Sequence, residues 1–295
     1  MQARQSPVLF ITHRQCAAQM GWDLQRFTHH DDKYVTSMCP LAQAQQYLQQ
    51  FCQVVDQLNT DQPEWQDMEA GYLPLGWQPK YWFSDVDATL LDGECIDQLA
   101  MTANVSTKVR HMTTLAMEGK LPFHDAIVQR VALLQGLELE KVEQIAVQMS
   151  VMEGLPELLE YTQSHNTKLV MLSGGFKDML LGWQKEWQAE TVIANQLEWH
   201  QNTLTGKLRG DIICGQQKSH YARTILQAKQ LRVDECLFTG DGANDIPMMQ
   251  LGGVRLGMCP KKALRPYLNG MTFSGSHLFF KTMLHAAAQT SLSNT

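Results

Sequence analysis

The chain has 295 residues, of which 44% are hydrophobic and 18% are charged. That length suits one domain with additions or two domains, and that composition provides enough apolar side chains for a buried core. The formal net charge is −6 at pH 7, and the sequence contains no basic cluster. Because binding to a phosphate backbone needs a basic face, nucleic acid is disfavoured as the main partner.

The sequence predicts a cytoplasmic protein with reduced thiols and no membrane partner. No cationic start is followed by a long apolar run, as a signal peptide would require, and no stretch approaches the ~20 apolar residues that cross a bilayer. The seven cysteines are scattered and odd in number, and no two are spaced as C-x-x-C. A disulfide framework or a zinc site is therefore the less favoured interpretation.

Residues 1–78 are predicted to form a small α/β section of unknown role. Residues 8–12 have the pattern of a strand, and residues 41–58 place apolar side chains at helical spacing. The histidine pair at 29–30 precedes two acids, but no further ligand lies at recognisable spacing, so a solvated turn is favoured over a metal site. The Gly/Pro-punctuated residues 71–79 are interpreted as a linker.

A short apolar run at 82–84 then leads into a loop that carries two carboxylates, Asp85 and Asp87. Residues two apart in an extended segment point the same way, so both acids can face one small site. One can act as a nucleophile and the other as a proton donor and acceptor. Taken alone, this D-x-D-x-T pattern is a weak motif.

The rest of the chain alternates in a way that predicts an α/β fold. Residues 94–150 show helical periodicity only, which indicates a helical insert with helices near 105–117, 123–134 and 138–149. After residue 154, short apolar runs alternate with helical patterns. This alternation predicts a parallel sheet covered on both faces, a three-layer α/β/α arrangement, with a hairpin at 196–208.

Ligands on such sheets bind beyond the carboxyl ends of the strands, where Asp85, Ser173 and Asp241 are predicted to lie. Asp85 and Asp241 supply hard oxygen ligands suited to Mg²⁺, and the backbone carbonyl of Asp87 can be a third. Asp245 can hold a metal-bound water or brace its loop. A cation bridging a carboxylate nucleophile and a phosphate removes their mutual repulsion.

The remaining polar groups suit a phosphate. Ser173 offers a hydroxyl and Gly174 a backbone N–H, both at a predicted helix N-terminus, where anions are favoured. Lys218 can offset charge on phosphoryl oxygens. Each piece alone has a plainer interpretation: a strand-to-helix turn, a calcium-like loop, or a solvated helix start. Their combination, in this order, favours metal-dependent phosphoryl transfer.

In these segments the chain resembles the haloacid dehalogenase superfamily over about residues 80–285, and within it the phosphoserine phosphatase family. The matching segments are 85–90, 94–97, 117–123, Arg130-Val131, 173–176, Lys218 and 240–245. The resemblance implies a Rossmann-like core formed by 79–90 and 153–295, and a mobile helical cap over 91–152. It also implies hydrolysis of L-phosphoserine, the last step of serine biosynthesis.

The resemblance assigns roles to individual residues. It implies that Asp85 is phosphorylated, that Asp87 is the general acid and base, and that Asp85, the Asp87 carbonyl and Asp241 hold Mg²⁺. Contacts with the phosphate or its surroundings are implied for Ser173, Gly174, Lys218 and Asn244. One departure is Ala88, where these phosphatases usually have serine.

Phosphoserine carries an ammonium and a carboxylate besides its phosphate. Glu94 can pair with the ammonium and Arg130 with the carboxylate, while Met117 and Phe123 would wall the site. Without the resemblance, Glu94 and Arg130 are better interpreted as surface charges. Two alternative functions stay open: a phosphatase or phosphotransferase acting on another small phosphorylated metabolite, and a non-catalytic regulatory module. For the N-terminal section, a diverged form of the small α/β regulatory-type domain of some bacterial relatives, a dimerisation element for a homodimer and an extension with another role stay open.

Overall fold

The computed structural model describes residues 7–29, 31–57, 68–117 and 120–290. The chain forms two compact units. The first comprises Met1–Trp82, Met152–Thr167 and Arg232–Thr295, and the second comprises Phe83–Val151 and Lys168–Leu231. The predicted division into an N-terminal section, a core and a cap stays a prediction.

The described residues contain strands whose bounds are, in chain order, β1 (Pro7–His13), β2 (Thr28–His29), β3 (Tyr34–Pro40), β4 (Glu69–Pro74), β5 (Tyr81–Ser84), β6 (Lys168–Phe176), β7 (Thr191–His200), β8 (Thr203–Arg209), β9 (Cys236–Gly240), β10 (Val254–Met258) and β11 (Gly270–Thr272). Their α-helices are α1 (Arg14–Gln19), α2 (Leu41–Val55), α3 (Cys95–Thr102), α4 (Ser106–Met117), α5 (Phe123–Ala132), α6 (Leu139–Gln148), α7 (Leu155–Ser164), α8 (Lys177–Glu186), α9 (Gly215–Ala228), α10 (Ile246–Met249) and α11 (Leu278–Gln289).

The first unit contains the strand order β2-β3-β1-β4-β11-β10-β9. Strand β10 is parallel to both β9 and β11, whereas β1 is antiparallel to β3 and β4, and β4 is antiparallel to β11. All five residues of β9 are buried, as expected for a parallel strand covered on both faces. The antiparallel pairing of β4 with β11 therefore joins the N-terminal strands β1–β4 to the parallel strands β9–β11 in one sheet.

The second unit contains the strand order β6-β7-β8, with β6 parallel to β7 and β7 antiparallel to β8. Strand β5 carries the chain from the first unit into the second. Within the first unit, Trp82 Nε1 donates a hydrogen bond to Thr239 Oγ1 at 2.8 Å. All four residues of β5 are buried, so the loop that carries the two acids begins in the protein interior.

Most of the predicted elements are confirmed. The structure contains the strand at 8–12, the helices predicted within 94–150, and the hairpin, whose tip residues Gln201 and Asn202 have positive φ angles of 50° and 61°. Such angles are typical of the type I′ turns that join twisted strands. Among the described residues, no helix has both the length and the apolar character needed to cross a membrane.

The linker predicted at 71–79 is wrong for its first part, because β4 occupies residues 69–74 and all but the last of its residues are buried. The glycine there serves close packing. A β-carbon on Gly71 would lie 2.7 Å from the Gly270 Cα and would overlap Met283. Gly71 therefore marks a close approach between two strands and a helix, not a flexible connection.

The turn predicted at 173–176 is also wrong, although the helix predicted to follow it is present. Extended backbone continues to Phe176 and α8 begins at Lys177. The pairing of β6 with β7 is irregular between Leu172 and Phe176. Ser173 and Gly174 consequently lie in a strand irregularity and not at a helix N-terminus, and β-bulges of this kind re-aim side chains near functional sites.

Candidate active site

In the second unit, Asp85 and Lys218 form a buried ion pair. Lys218 Nζ lies 2.7 Å from Asp85 Oδ1, and the side chains are 0% and 4% exposed. The same carboxylate oxygen accepts the Val86 N–H at 2.7 Å. Lys218 lies in the first turn of α9, where its own N–H donates to Cys214 O at 2.9 Å. Removing both charges from water is unfavourable unless they pair, so each charge offsets the desolvation of the other.

Asp87 is buried beside the first turn of α3. Its Oδ1 accepts the backbone N–H of Cys95 at 3.2 Å. Burial, followed by the negative charge of Glu94, raises the pKa of Asp87 to about 8, while the hydrogen bond with the Cys95 side chain acts in the opposite direction. Asp85 and Asp87 therefore differ in character, since one faces a cation and the other keeps its proton near neutral pH.

A tight loop fixes the two acids. The Val86 carbonyl accepts N–H groups from Thr89, Leu90 and Leu91 at 3.2, 2.8 and 2.9 Å. Ala88 has a φ of 53°, and its N–H donates to the Gly93 carbonyl at 3.1 Å. The left-handed conformation is unfavourable for any side chain with a β-carbon, so serine would be under the same strain as alanine there.

The backbone of β6 lies against Asp87. A β-carbon on Gly175 would lie 2.7 Å from Asp87 Oδ2 and 3.3 Å from Cys95 Sγ. Ser173 is buried, and its Oγ accepts the Gly175 N–H at 2.8 Å. By contrast, the nearest atom to a β-carbon on Gly174 would be 3.9 Å away. Glycine is thus required at 175, where the acid approaches the main chain.

Asn195, on β7, is a supporting residue that the sequence did not identify. Its Nδ2 donates to the Gly174 carbonyl at 2.8 Å and its Oδ1 accepts the Ile213 N–H at 2.8 Å. The side chain is almost fully buried, so these bonds position the glycine whose N–H was predicted to bind phosphate. Asn195 follows the apolar residues 192–194 on a strand, and its polar side chain at that position was the available signal.

The two charged residues predicted to bind the amino-acid part of the substrate lie at or within two helices of the same unit. Glu94 precedes α3 and is exposed, and Arg130 lies on α5 with Nη1 donating to Thr113 Oγ1 at 3.3 Å. Burial lowers the pKa of the Arg130 guanidinium, and the charges of Glu94 and Asp97 act in the opposite direction. Glu94 therefore acts electrostatically on both Asp87 and Arg130, which places the three in one electrostatic group.

Four predicted positions of the cap lie outside what the structure describes. Glu118 and Gly119 are outside the described residues, as are the side chains of Met117 and Phe123, whose backbones belong to α4 and α5. His30 of the histidine pair is also outside them. The predicted walls of the substrate site therefore stay predictions.

In the first unit, the acidic loop after β9 is internally braced. Asp245 is fully buried, and its Oδ2 accepts the N–H groups of Asp241 and Gly242 at 3.1 and 3.3 Å. A β-carbon on Gly240 would overlap the Asp245 carboxylate. Asp245 thus holds the loop in shape, and Asn244 lies in the same turn, beside Gly242.

Lys261 is a second residue that the sequence analysis did not identify. Its Nζ lies 2.9 Å from Asp241 Oδ2, and its backbone N–H donates to the Asp241 carbonyl at 2.8 Å. Lys261 follows the end of β10, so its position after a strand was the available signal. The Asp241 carboxylate is largely buried and offers the hard oxygen donors that a divalent cation prefers.

Comparison with known proteins identifies a shared family pattern. Residues 82–250 match the family model for haloacid dehalogenase-like hydrolases. The chain is 35% identical over 185 residues to a phosphoserine phosphatase of Wolinella succinogenes, a match that covers 63% of this chain and 90% of that relative.

Solved structures with a similar fold include proteins of the same family. A phosphoserine phosphatase complex with bound substrate is 27% identical with a TM-score of 0.64, and the match covers 71% of this chain and 98% of that one. A haloacid dehalogenase family hydrolase from Salmonella enterica serovar Typhi has a TM-score of 0.80 at 18% identity, over 94% of this chain and 98% of that one. That second likeness concerns the fold alone.

Proposed function

Because the chain belongs to the family of haloacid dehalogenase-like hydrolases, we propose that it hydrolyses L-phosphoserine to serine and inorganic phosphate through a phosphorylated Asp85, with Mg²⁺ as cofactor. The observation that carries this proposal is the contrast between the two acids. Asp85 is paired with the buried Lys218, whereas the pKa of Asp87 is raised to about 8. One carboxylate is poised as a nucleophile and the other as a proton donor.

In the proposed first step, a carboxylate oxygen of Asp85 attacks the phosphorus atom and the bond from phosphorus to the serine oxygen breaks. The proton of Asp87 passes to that leaving oxygen. In the second step, Asp87 takes a proton from water, the water oxygen attacks the phosphorus atom, and the bond to Asp85 breaks. Inorganic phosphate leaves, and both acids return to their starting protonation states.

The phosphate would be held by donors of this chain. We assign this role to the Lys218 ammonium, the Ser173 hydroxyl, the Gly174 N–H and the Asn244 amide. In support, Lys218 and Ser173 are buried, and preorganised donors in a site that excludes water stabilise developing negative charge without reorganising. The irregular pairing in β6 leaves the segment 173–175 outside the regular strand ladder, which suits its use toward a ligand.

Mg²⁺ would be held by Asp85, the Asp87 backbone carbonyl and Asp241, with Asp245 bracing the metal loop. Carboxylate and carbonyl oxygens are the ligands that this cation prefers, and Asp85 and Asp241 are both largely buried carboxylates. When bound, the cation supplies charge neutralisation between nucleophile and phosphate. The activity is expected to disappear with EDTA and to return with Mg²⁺ but not with Na⁺.

The amino-acid part of the substrate would be recognised by the group formed around Glu94. Its carboxylate would pair with the ammonium, and Arg130 would bind the carboxylate through its two-pronged guanidinium. Met117 and Phe123 would wall this end. The match to the phosphoserine phosphatase of Wolinella succinogenes covers 90% of that relative, which supports the substrate assignment.

The decisive experiment measures phosphate release with Mg²⁺ over phosphoserine, phosphothreonine, phosphoethanolamine, glycerol phosphate and an aryl phosphate. Phosphoserine is expected to have the highest kcat/KM, and phosphoethanolamine, which lacks the carboxylate, a much lower one. A preferred substrate without an amino-acid group would overturn the assignment. Addition of acceptor alcohols distinguishes hydrolysis from phosphate transfer, since transfer would give a new phosphomonoester in place of inorganic phosphate.

The setting proposed for this reaction is the reducing cytoplasm. None of the seven cysteines forms a disulfide in the described residues, and burial raises the pKa of the Cys16 thiol to about 12, which keeps it unreactive. The activity is expected to be unchanged by dithiothreitol. A loss of activity on reduction would contradict the proposed setting.

A further inference from the structure

The first unit contains a cavity of about 320 Å³ that none of the proposed catalytic steps uses. Its walls come from β1, α2 and β4 on one side and from the start of β10 on the other; they include Leu41, Gln45, Tyr72, Trp77 and Arg255. The volume is within the range of small-molecule sites.

The cavity lies at the opposite end of the parallel strands from the acidic loop. In the β9–β10 pair, Arg255 is level with Phe238, whereas Gly257 is level with Gly240, and Asp241 follows Gly240 in the chain. Arg255 is therefore near the amino ends of these strands, and Asp241 is at their carboxyl ends. A ligand in the cavity would not touch the acidic loop of the same unit.

The main polar feature of the cavity is a rigid chain of three side chains. Arg255 Nε donates to Asn269 Oδ1 at 2.9 Å, and Asn269 Nδ2 donates to the Tyr72 hydroxyl oxygen at 3.0 Å. Asn269 Oδ1 also accepts the Arg255 backbone N–H at 2.9 Å. That second donor fixes the orientation of the amide, because only an oxygen can accept from a backbone N–H.

These three hydrogen-bonded side chains leave several of their own N–H and O–H donors unused. With Nε used, the Arg255 guanidinium retains the N–H groups of its two terminal nitrogens, and Tyr72 retains its hydroxyl proton because its oxygen is already an acceptor. Across the described residues, no carboxylate forms an ion pair with Arg255. Asp234, which also lines the cavity, is paired with Arg232 instead.

The burial around Arg255 favours the binding of an anion. Tyr72 and Asn269 are buried, at 7% and 8% exposure, and burial lowers the pKa of the Arg255 guanidinium. A partly buried guanidinium without a counter-charge is unfavourable, and a carboxylate matches its planar pair of N–H groups bidentately. Trp77, Leu41 and their neighbours would cover an apolar body.

We propose that this cavity, called here the Arg255 cavity, is a second ligand site that binds a small organic carboxylate, with the carboxylate on Arg255 and the Tyr72 hydroxyl. Because its walls join the N-terminal strands to β10, an occupied cavity stabilises the packing of that section. The inference gives residues 1–78 a role in ligand binding and does not depend on the proposed hydrolysis.

Binding to the full-length protein is tested with benzoate and its neutral counterpart benzamide, which share size and shape. Thermal unfolding is followed with increasing ligand, and Trp77 provides a fluorescence signal that Trp77→Phe removes. Benzoate is expected to raise the Tm in a saturable manner, and benzamide is not. L-Serine and inorganic phosphate are tested in the same way, and because both are products of the proposed reaction, only a response that Leu41→Trp removes is assigned to the cavity. Such a response to phosphate and not to benzoate would overturn the carboxylate assignment.

Matched variants locate the effect. Arg255→Gln is expected to raise the Kd for benzoate at least tenfold and Arg255→Lys to raise it by less. Arg26→Gln, which alters an exposed arginine of the same unit that does not line the cavity, is expected to leave the Kd unchanged. Leu41→Trp, which fills the cavity and retains the arginine, is expected to abolish binding even if Arg255→Gln fails to fold. Asp85→Asn separates this site from the catalytic one and should retain the benzoate response. Equal responses to benzoate and benzamide, or no response, would overturn the proposal.

Discussion

The carboxylate of Asp87 lies so close to the main chain of Gly175 that a β-carbon there would be 2.7 Å from Oδ2. Gly174, the preceding residue, has 3.9 Å of clearance at the same position. The neighbouring glycines are therefore a matched pair, because one is constrained by the proposed proton donor and the other is open.

Gly175→Ala is expected to displace the Asp87 carboxylate and to reduce kcat by roughly 10²-fold, as small misplacements of catalytic groups do. Gly174→Ala retains the backbone N–H and should change kcat far less. Steady-state kinetics on phosphoserine, with circular dichroism to check folding, measure the difference. Equal losses in the two variants would argue that the approach to Asp87 has no catalytic importance.

The Asp85–Lys218 ion pair is expected to contribute to the stability of the folded protein as well as to its activity. Lys218→Met leaves an uncompensated buried carboxylate and should lower the free energy of unfolding by about 3–5 kcal/mol. The double variant Asp85→Asn/Lys218→Met should regain part of that loss while remaining inactive, because neither charge is then buried alone. Urea unfolding of the wild type, Asp85→Asn, Lys218→Met and the double variant gives the coupling free energy between the two side chains. Strictly additive losses would contradict a direct interaction.

Asp87 is expected to make the metal-free protein less stable as the pH rises. The unfolded chain ionises this carboxyl near its ordinary pKa of 3.8, whereas the folded protein retains the proton up to about 8. Between these values the folded state binds more protons, so the contribution of Asp87 to the free energy of unfolding falls with pH and becomes constant above about 8.

Urea unfolding in EDTA from pH 4 to 9 tests this dependence. Asp87→Asn cannot ionise, so the difference in stability between the variant and the wild type should grow in favour of the variant as the pH rises. A difference that does not change with pH would show that the folded and unfolded pKa values of Asp87 are alike.

Arg130 is expected to distinguish substrates by their carboxylate. Arg130→Ala should lower kcat/KM for phosphoserine by roughly tenfold or more, because hydrogen bonds to charged groups contribute about 1.5–3 kcal/mol. The loss should be small for an aryl phosphate, which has no carboxylate. Arg110→Ala, an exposed arginine on α4, serves as the control. Equal losses on both substrates would indicate that Arg130 supports the structure of the helices and does not bind the substrate carboxylate.

The sequence determined the features that depend on near neighbours. The spacing of Asp85 and Asp87 after an apolar run, the periodicity of α4 and α5, and the hairpin tip at 201–202 all follow from local backbone geometry and side-chain pattern. The order of the polar segments along the chain, together with the resemblance it supports, also indicates phosphoryl transfer.

Tertiary packing decided what depends on distant residues. The raised pKa of Asp87 needs burial and the charge of Glu94, and the buried ion pair of Asp85 needs a lysine that lies far along the chain. Gly71, which appears as linker punctuation in the sequence, lies in a buried strand because Gly270 and Met283 approach it. Likewise, the hydrogen bonds from Arg255 to the sequence-distant Asn269 decide which donors of its guanidinium stay unused. Desolvation and close approach are properties of the packed chain, so residue spacing alone could not reveal them.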